Sequence, residues 1–283
     1  MATTSRRGTS GVGAMRAAYW ISGSLTVVAA VAAAATFFVP GVLRGPAVMN
    51  GSARGTALVV LCVAVPVLAL SMAIARRGSV RMLVTWLGVV GYLLYNAVLF
   101  LTATPFNSLF LLYTAMFTLA TWAAAVVLHG TDVRAFAARF GARLPVRGLA
   151  AYLWVVAALN ALVWLVRVVP ALFSGEPPEF LAGTGLTTNP IYVQDLAFWV
   201  PLTIVAALWL WRRQAWGYLL AGVLLTMGVI ESVGIAVDQA FGHAADPASS
   251  VASAAMVPVF AVLAVVELAA LLVYHRHLDR RGS

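Results

Sequence analysis

The chain has 283 residues, 63% of them hydrophobic and only 10% charged, with a formal net charge of +9. A soluble domain averages about 45 to 50% apolar and about 25% charged residues, so this composition excludes a single water-soluble core. The apolar excess comes in blocks of roughly 20 residues, the length that crosses a hydrocarbon layer of about 30 Å. The prediction is an all-α membrane protein, a bundle of about eight transmembrane helices.

In chain order the apolar runs fall near 19–38, 56–75, 82–103, 107–128, 148–172, 191–211, 215–239 and 251–274. Residues 1–18 and 275–283 then flank one membrane domain over 19–274 as short tails. Arg6, Arg7 and Arg16 precede the first run; Arg76, Arg77 and Arg81, then Arg134, Arg139, Arg143 and Arg147, then Arg212 and Arg213, and finally Arg276, Arg280 and Arg281 occupy every second break. These are 15 of the 18 basic residues, and only Arg44 and Arg54 fall in the alternate loops. Basic loops stay on the cytoplasmic side, which predicts a multi-pass protein of the cell (inner) membrane with both termini cytoplasmic. Arg6, Arg7 and Arg16 before the alanine-rich run from Val27 to Ala35 also resemble a signal peptide, but the apolar stretch is longer than a typical one.

All 18 basic residues are arginine, which excludes Schiff-base chemistry on a lysine amine. The single cysteine, Cys62, lies in an apolar run and reads as a small buried hydrophobe. His129, His243, His275 and His277 sit in loops or at helix ends, so neither a metal nor a haem is expected, and no other cofactor is implied. The positive charge fits inner loops facing anionic headgroups rather than nucleic acid. Within the loop at 130–147, Val133, Phe136, Phe140 and Leu144 share one helical face, which predicts a short helix lying on the inner interface.

Two halves echo each other. Ala18-Tyr19-Trp20 opens the first run and Ala151-Tyr152-Leu153-Trp154 the fifth. Val65-Pro66 precedes Arg76-Arg77 much as Val200-Pro201 precedes Arg212-Arg213, and Gly91-Tyr92-Leu93-Leu94 recurs as Gly217-Tyr218-Leu219-Leu220. Against chance and the aromatic and arginine preferences of helix ends, this suggests a weak four-plus-four parallel repeat about an axis along the membrane normal.

The segments Gly91-Tyr92-Leu93-Leu94-Tyr95-Asn96, Pro105-Phe106-Asn107-Ser108-Leu109-Phe110 and Asp195-Leu196-Ala197-Phe198-Trp199-Val200-Pro201-Leu202, with Trp216-Gly217-Tyr218 beyond, resemble an uncharacterised family of bacterial multi-pass inner-membrane proteins. The resemblance covers about residues 82–225 and implies a fold of about eight helices. It carries neither an activity nor functional residues to this chain.

An ionisable group inside a span costs from about 3 kcal/mol upward, so each one is a site hypothesis. In the fifth run Asn160, Trp164 and Arg167 share one face. The sixth opens with Gln194 and Asp195, followed by Phe198 and Trp199. In the seventh Glu231 and Asp238 lie seven residues apart on one face, with Gly228 and Gly234 permitting close approach. Tyr92, Tyr95 and Asn96 lie in the third run. The expectation is a polar, acid-rich pocket in the outer half of the bilayer, built on Arg167, Asp195, Glu231, Asp238, Asn96, Asn160, Trp164, Trp199 and Tyr95. The competing structural reading has Arg167 simply neutralising Asp195 or Glu231. Glu267 falls in the inner third of the eighth run, with no partner visible in the sequence.

No serine–histidine pair, paired-aspartate diphosphate motif, nucleotide loop or zinc spacing occurs, and Pro177-Pro178-Glu179 is only loosely like a proline-acid motif of small carotenoid cyclases. Three functions stay open. The first is binding or transport of a small amphiphilic or charged molecule. The second is an intramembrane enzyme acting on a lipid or isoprenoid, with a carboxylic acid as catalyst and Trp164, Trp199 and Tyr95 facing cationic charge. The third is a structural subunit without ligand, and the sequence fixes no oligomeric state.

Overall fold

The computed structural model describes residues 4–278 apart from Ala142, with side chains from Gly13 onward. Arg280 and Arg281 lie outside the described residues, and so do the side chains of Arg6 and Arg7. Among the described residues the chain is helical and has no strand, only an isolated bridge between Phe140 and Leu278.

Eight helices are long and apolar enough to cross a bilayer: Gly13–Phe38, Ala47–Ala75, Val80–Thr102, Phe110–Gly130, Val146–Ala171, Pro190–Trp211, Ala215–Ala245 and Met256–Arg276. They are called spans one to eight. The protein is thus a polytopic all-α membrane protein. Local signals set the breaks between spans. Ser79 caps span three by accepting from the Met82 amide, and Asn189 caps span six by accepting from the Ile191 and Tyr192 amides, with Pro190 at the first helical position. Such side-chain caps satisfy amides that no helical carbonyl reaches. At the paired arginines the chain reverses through left-handed backbone, at Gly78 (φ 91°) just after Arg77 and at Arg213 itself (φ 56°). Gly78 adopts this freely, while Arg213 pays a steric penalty of about 1 kcal/mol.

Spans one to four form a closed unit in which span one packs along span four and against span two, while span three packs on spans two and four. Spans five to eight repeat the neighbour contacts of five with six, six with seven and seven with eight. Their ring is not closed, because the extended packing of span eight is with span seven alone. Span seven joins the halves by packing on spans two and three.

The seam between spans two and seven is made by Gly51 and Gly55, which sequence reading passed over. A Cβ at Gly55 would lie 2.7 Å from the Cα of Asp238, and one at Gly51 2.5 Å from the carbonyl oxygen of Phe241. Small residues four apart let two backbones approach within lipid, where dispersion rather than the hydrophobic effect holds helices together.

That seam corrects the start of span two, which begins at Ala47 rather than near 56, so Arg54 belongs to the helix and not to a loop. The helix extends because Gly51 and Gly55 give its first turns a packing partner. Arg167 is therefore not the only arginine within a span. Cys62 is exposed on the outer surface of the bundle rather than buried, because it falls in a π-helical turn, Val60–Ala64, that rotates it away from the core. The short helix in the loop after span four, Val133–Ala137, is capped by Asp132 and buries Val133 and Phe136; it packs on span seven. Phe140 packs against Tyr218 and Tyr274 with tilted rings, at 5.0 and 5.1 Å between centroids. The apolar face of this loop thus meets protein.

The repeat gains one structural parallel and loses another. Val60–Ala64 in span two and Asp195–Trp199 in span six are both π-helical, and each is followed at once by the Val-Pro pair. A proline has no amide for the helical ladder, and a widened turn before it absorbs the mismatch. By contrast Gly91 lies in the middle of span three, whereas Gly217 lies at the start of span seven. Those two tetrapeptides are not equivalent positions.

Candidate functional site

No Asp or Glu precedes Asp132, so every carboxyl inside a span belongs to the second half. Asp195 opens the π-helical turn of span six and is 4% exposed. The indole nitrogen of Trp164 donates to its Oδ2 at 2.8 Å and the Asn160 amide donates at 3.4 Å, both from span five. The Tyr95 hydroxyl of span three is a third donor. Ring packing holds these donors in place, with Trp164 stacked on Tyr192 at 4.4 Å and Tyr95 against Trp199 at 5.9 Å. Asp195 therefore cross-braces spans three, five and six.

Glu231 and Asp238 lie on span seven. The Asn96 amide of span three donates to Glu231 Oε2 at 3.2 Å. Asp238 Oδ1 accepts from Gln239 Nε2 at 3.0 Å, and Gln239 in turn accepts from the Ser253 amide. The Ser52 hydroxyl of span two donates to the main-chain oxygen of Asp238 at 3.3 Å. Tyr92 sits above Gly234, fully buried, and its hydroxyl has no hydrogen-bond partner.

Glu267 departs from expectation. It is 6% exposed and packed into the notch left by Gly228, with Oε1 2.8 Å from where a Cβ of that glycine would lie. The Ser232 hydroxyl donates to its Oε2 at 2.6 Å. Ser232 is the residue after Glu231, so Glu267 stands at nearly the depth of Glu231, about a quarter-turn around span seven from it, rather than apart in the inner third.

Arg167 does not join this group. Its side chain is exposed, as are Val166 and Val169, and among the described residues it makes no ion pair. Asn160 and Trp164 reach Asp195, while Arg167, only one turn on, is left exposed. The structure therefore brings together Asp195, Asn160, Trp164, Tyr95 and Trp199, and separately Glu231 with Asn96 and Glu267 with Ser232. Ser232, Gln239 and Ser52 were not anticipated from sequence. Ser232 alone had a signal, its position beside Glu231 on a helix.

The number of donors separates the four acids. A hydrogen bond to a charged group contributes about 1.5 to 3 kcal/mol, and an ionised side chain in a span costs about 3 kcal/mol or more. Three donors offset that cost at Asp195. A single neutral donor at Glu231, Glu267 or Asp238 does not, and among the described residues no arginine pairs with any of them. Among the described residues no three or more His, Cys, Asp or Glu are placed to hold a metal. Comparisons with protein-family models, with curated proteins and with solved structures return no match.

Proposed function

We propose that this membrane protein binds a small cation, a proton or a protonated amine, at Glu231 and Glu267, about a quarter-turn apart around span seven, and passes it between the two faces of the bilayer. The observation that carries the reading is the pairing of each mid-span glutamate with one neutral donor, Asn96 Nδ2 at 3.2 Å and Ser232 Oγ at 2.6 Å. A carboxylate so placed needs a further positive partner, and a mobile cation is the partner that would make the site functional. Asp238, one helical repeat from Glu231, provides a second station toward the arginine-poor end of span seven, and the free hydroxyl of Tyr92 lies beside that route.

The orientation belongs to the same proposal: the arginine-rich ends face the cytoplasm across the cell membrane. Four of those ends meet in the fold, since Arg81 donates to the Leu278 carbonyl through Nε and Nη2, and Phe140 packs on Tyr218 and Tyr274. Kinship with the bacterial multi-pass family rests on the sequence segments alone and adds no activity.

The test is uptake by proteoliposomes carrying an internal pH-sensitive dye under an imposed negative-inside potential, with and without an added small amine. Wild type should take up proton or amine, Glu231→Gln and Glu267→Gln should lose at least about tenfold in rate, and Arg167→Leu should match wild type. Absence of uptake in wild type, or rates unchanged in both glutamine variants, would sink the proposal.

A further inference from the structure

A surface groove of about 330 Å³ runs between spans one and two at the arginine-rich end of the bundle, far in sequence from every carboxyl discussed above. One wall is Tyr19, Gly23 and Val27, on a single face of span one, and the other is Ala69, Ala73 and Arg76 of span two. Its floor is made low by Gly23, where nothing lies within 4 Å of a Cβ position, and by the two alanines. The groove length follows from helix geometry. Tyr19 to Val27 spans about 12 Å at about 1.5 Å per residue, which is most of one leaflet, about 15 Å, or half of a hydrocarbon core of about 30 Å.

Its two ends differ in chemistry. Arg76 caps the end of span two with an exposed side chain, next to the exposed Arg77, while the opposite end is closed by the exposed Val27. The Tyr19 ring packs on Trp86 at 4.7 Å, which fixes it as a rigid shoulder just inside the arginine. An apolar channel one leaflet long, entered beneath a guanidinium at the membrane surface, matches an anionic headgroup attached to one acyl chain. Guanidinium is suited to paired hydrogen bonds with phosphate oxygens.

We propose that this groove is a binding site for one anionic glycerophospholipid, with its phosphate on Arg76 and an acyl chain lying along Gly23 and Ala73. The site is independent of the cation reading and is not needed by it. The groove ties span one to span two along a line where lipid completes the packing.

Native mass spectrometry of the full chain in mild detergent, titrated with phosphatidylglycerol or phosphatidylcholine, tests it. Wild type should retain one phosphatidylglycerol, with about a fivefold preference over phosphatidylcholine, the contribution expected of one arginine against an anionic headgroup. Arg76→Gln should abolish the preference, while Arg212→Gln, at the matching end of span six, should leave it intact. Gly23→Leu should fill the channel and remove retention of both lipids without lowering thermal stability, and Ala73→Leu should do the same from the other wall. Retention undiminished in both leucine variants would overturn the proposal. So would equal loss of preference in Arg76→Gln and Arg212→Gln, since the lipid would then be held by general surface charge.

Discussion

The two halves of this protein use the same succession of four spans to different ends. In the first half span one closes against span four, and the buried polar contacts are neutral: Thr36 shares a 2.7 Å hydrogen bond with Tyr113, and the Trp86 indole donates to Ser22 at 2.9 Å. In the second half the ring is left open at span eight, and all four in-span carboxyls are there. The shared π-helical turn before Val-Pro makes the contrast sharper. At that turn span two carries Val60-Leu61-Cys62-Val63-Ala64, and span six carries Asp195-Leu196-Ala197-Phe198-Trp199. A widened turn tilts one residue out of the helical register, and in span six that residue region delivers Asp195 to donors on two neighbouring spans. One backbone device thus serves packing in one half and polar cross-bracing in the other.

The largest expected effect lies where the halves meet. Gly55→Leu would push span two off span seven backbone against backbone, and should destabilise by about 3 kcal/mol or more, read as the unfolding midpoint in mixed detergent. A loss no greater than that of a lipid-facing substitution would mean the halves are not joined there. Next comes the Asp195 brace. Trp164→Phe and Tyr95→Phe each remove one donor to a charged acceptor and should cost about 1.5 to 3 kcal/mol, in the same assay. If both are neutral, Asp195 is not what ties span six to spans three and five.

Smaller effects distinguish a polar contact that only packs from one that works. The Thr36→Val and Tyr113→Phe double-mutant cycle should give about 0.6 kcal/mol of coupling, the usual value for a hydrogen bond between membrane helices, with uptake unchanged. Ser232→Ala should cost a similar amount of stability yet slow uptake, because it removes the only donor that the described residues give the Glu267 carboxyl. Equal uptake in the two series would erase the functional difference between the halves. Smallest of all, Arg167→Leu should shift stability by less than about 0.5 kcal/mol, as expected of an exposed side chain with no carboxyl beside it.

How far the sequence reaches follows from the physics of each feature. Apolar length and the alternation of arginine-rich breaks identified all eight spans, because a hydrocarbon layer constrains helix length almost regardless of partner. Helical spacing likewise put Asn160 and Trp164 on one face with Asp195 at matching depth. It failed one turn later. Arg167 has the right spacing, but the last turns of span five, where Leu165, Val166, Arg167 and Val169 are all exposed, lack a covering neighbour, which no one-chain periodicity contains. Glu267 was misplaced because its partner, Ser232, is an ordinary residue until the notch at Gly228 brings span eight against it. Arg54 was assigned to a loop because the glycines that extend span two also lower its apparent apolarity.

The central claim is that Glu231 and Glu267 meet a mobile cation while Asp195 is held by protein donors. Dicyclohexylcarbodiimide reacts with carboxyls that carry a proton in apolar surroundings, and peptide mass spectrometry locates the adducts. The result expected is modification at Glu231 and Glu267, slowed by a competing small amine, with Asp195 spared. Adducts confined to Asp195, or no adduct at either glutamate, would contradict it.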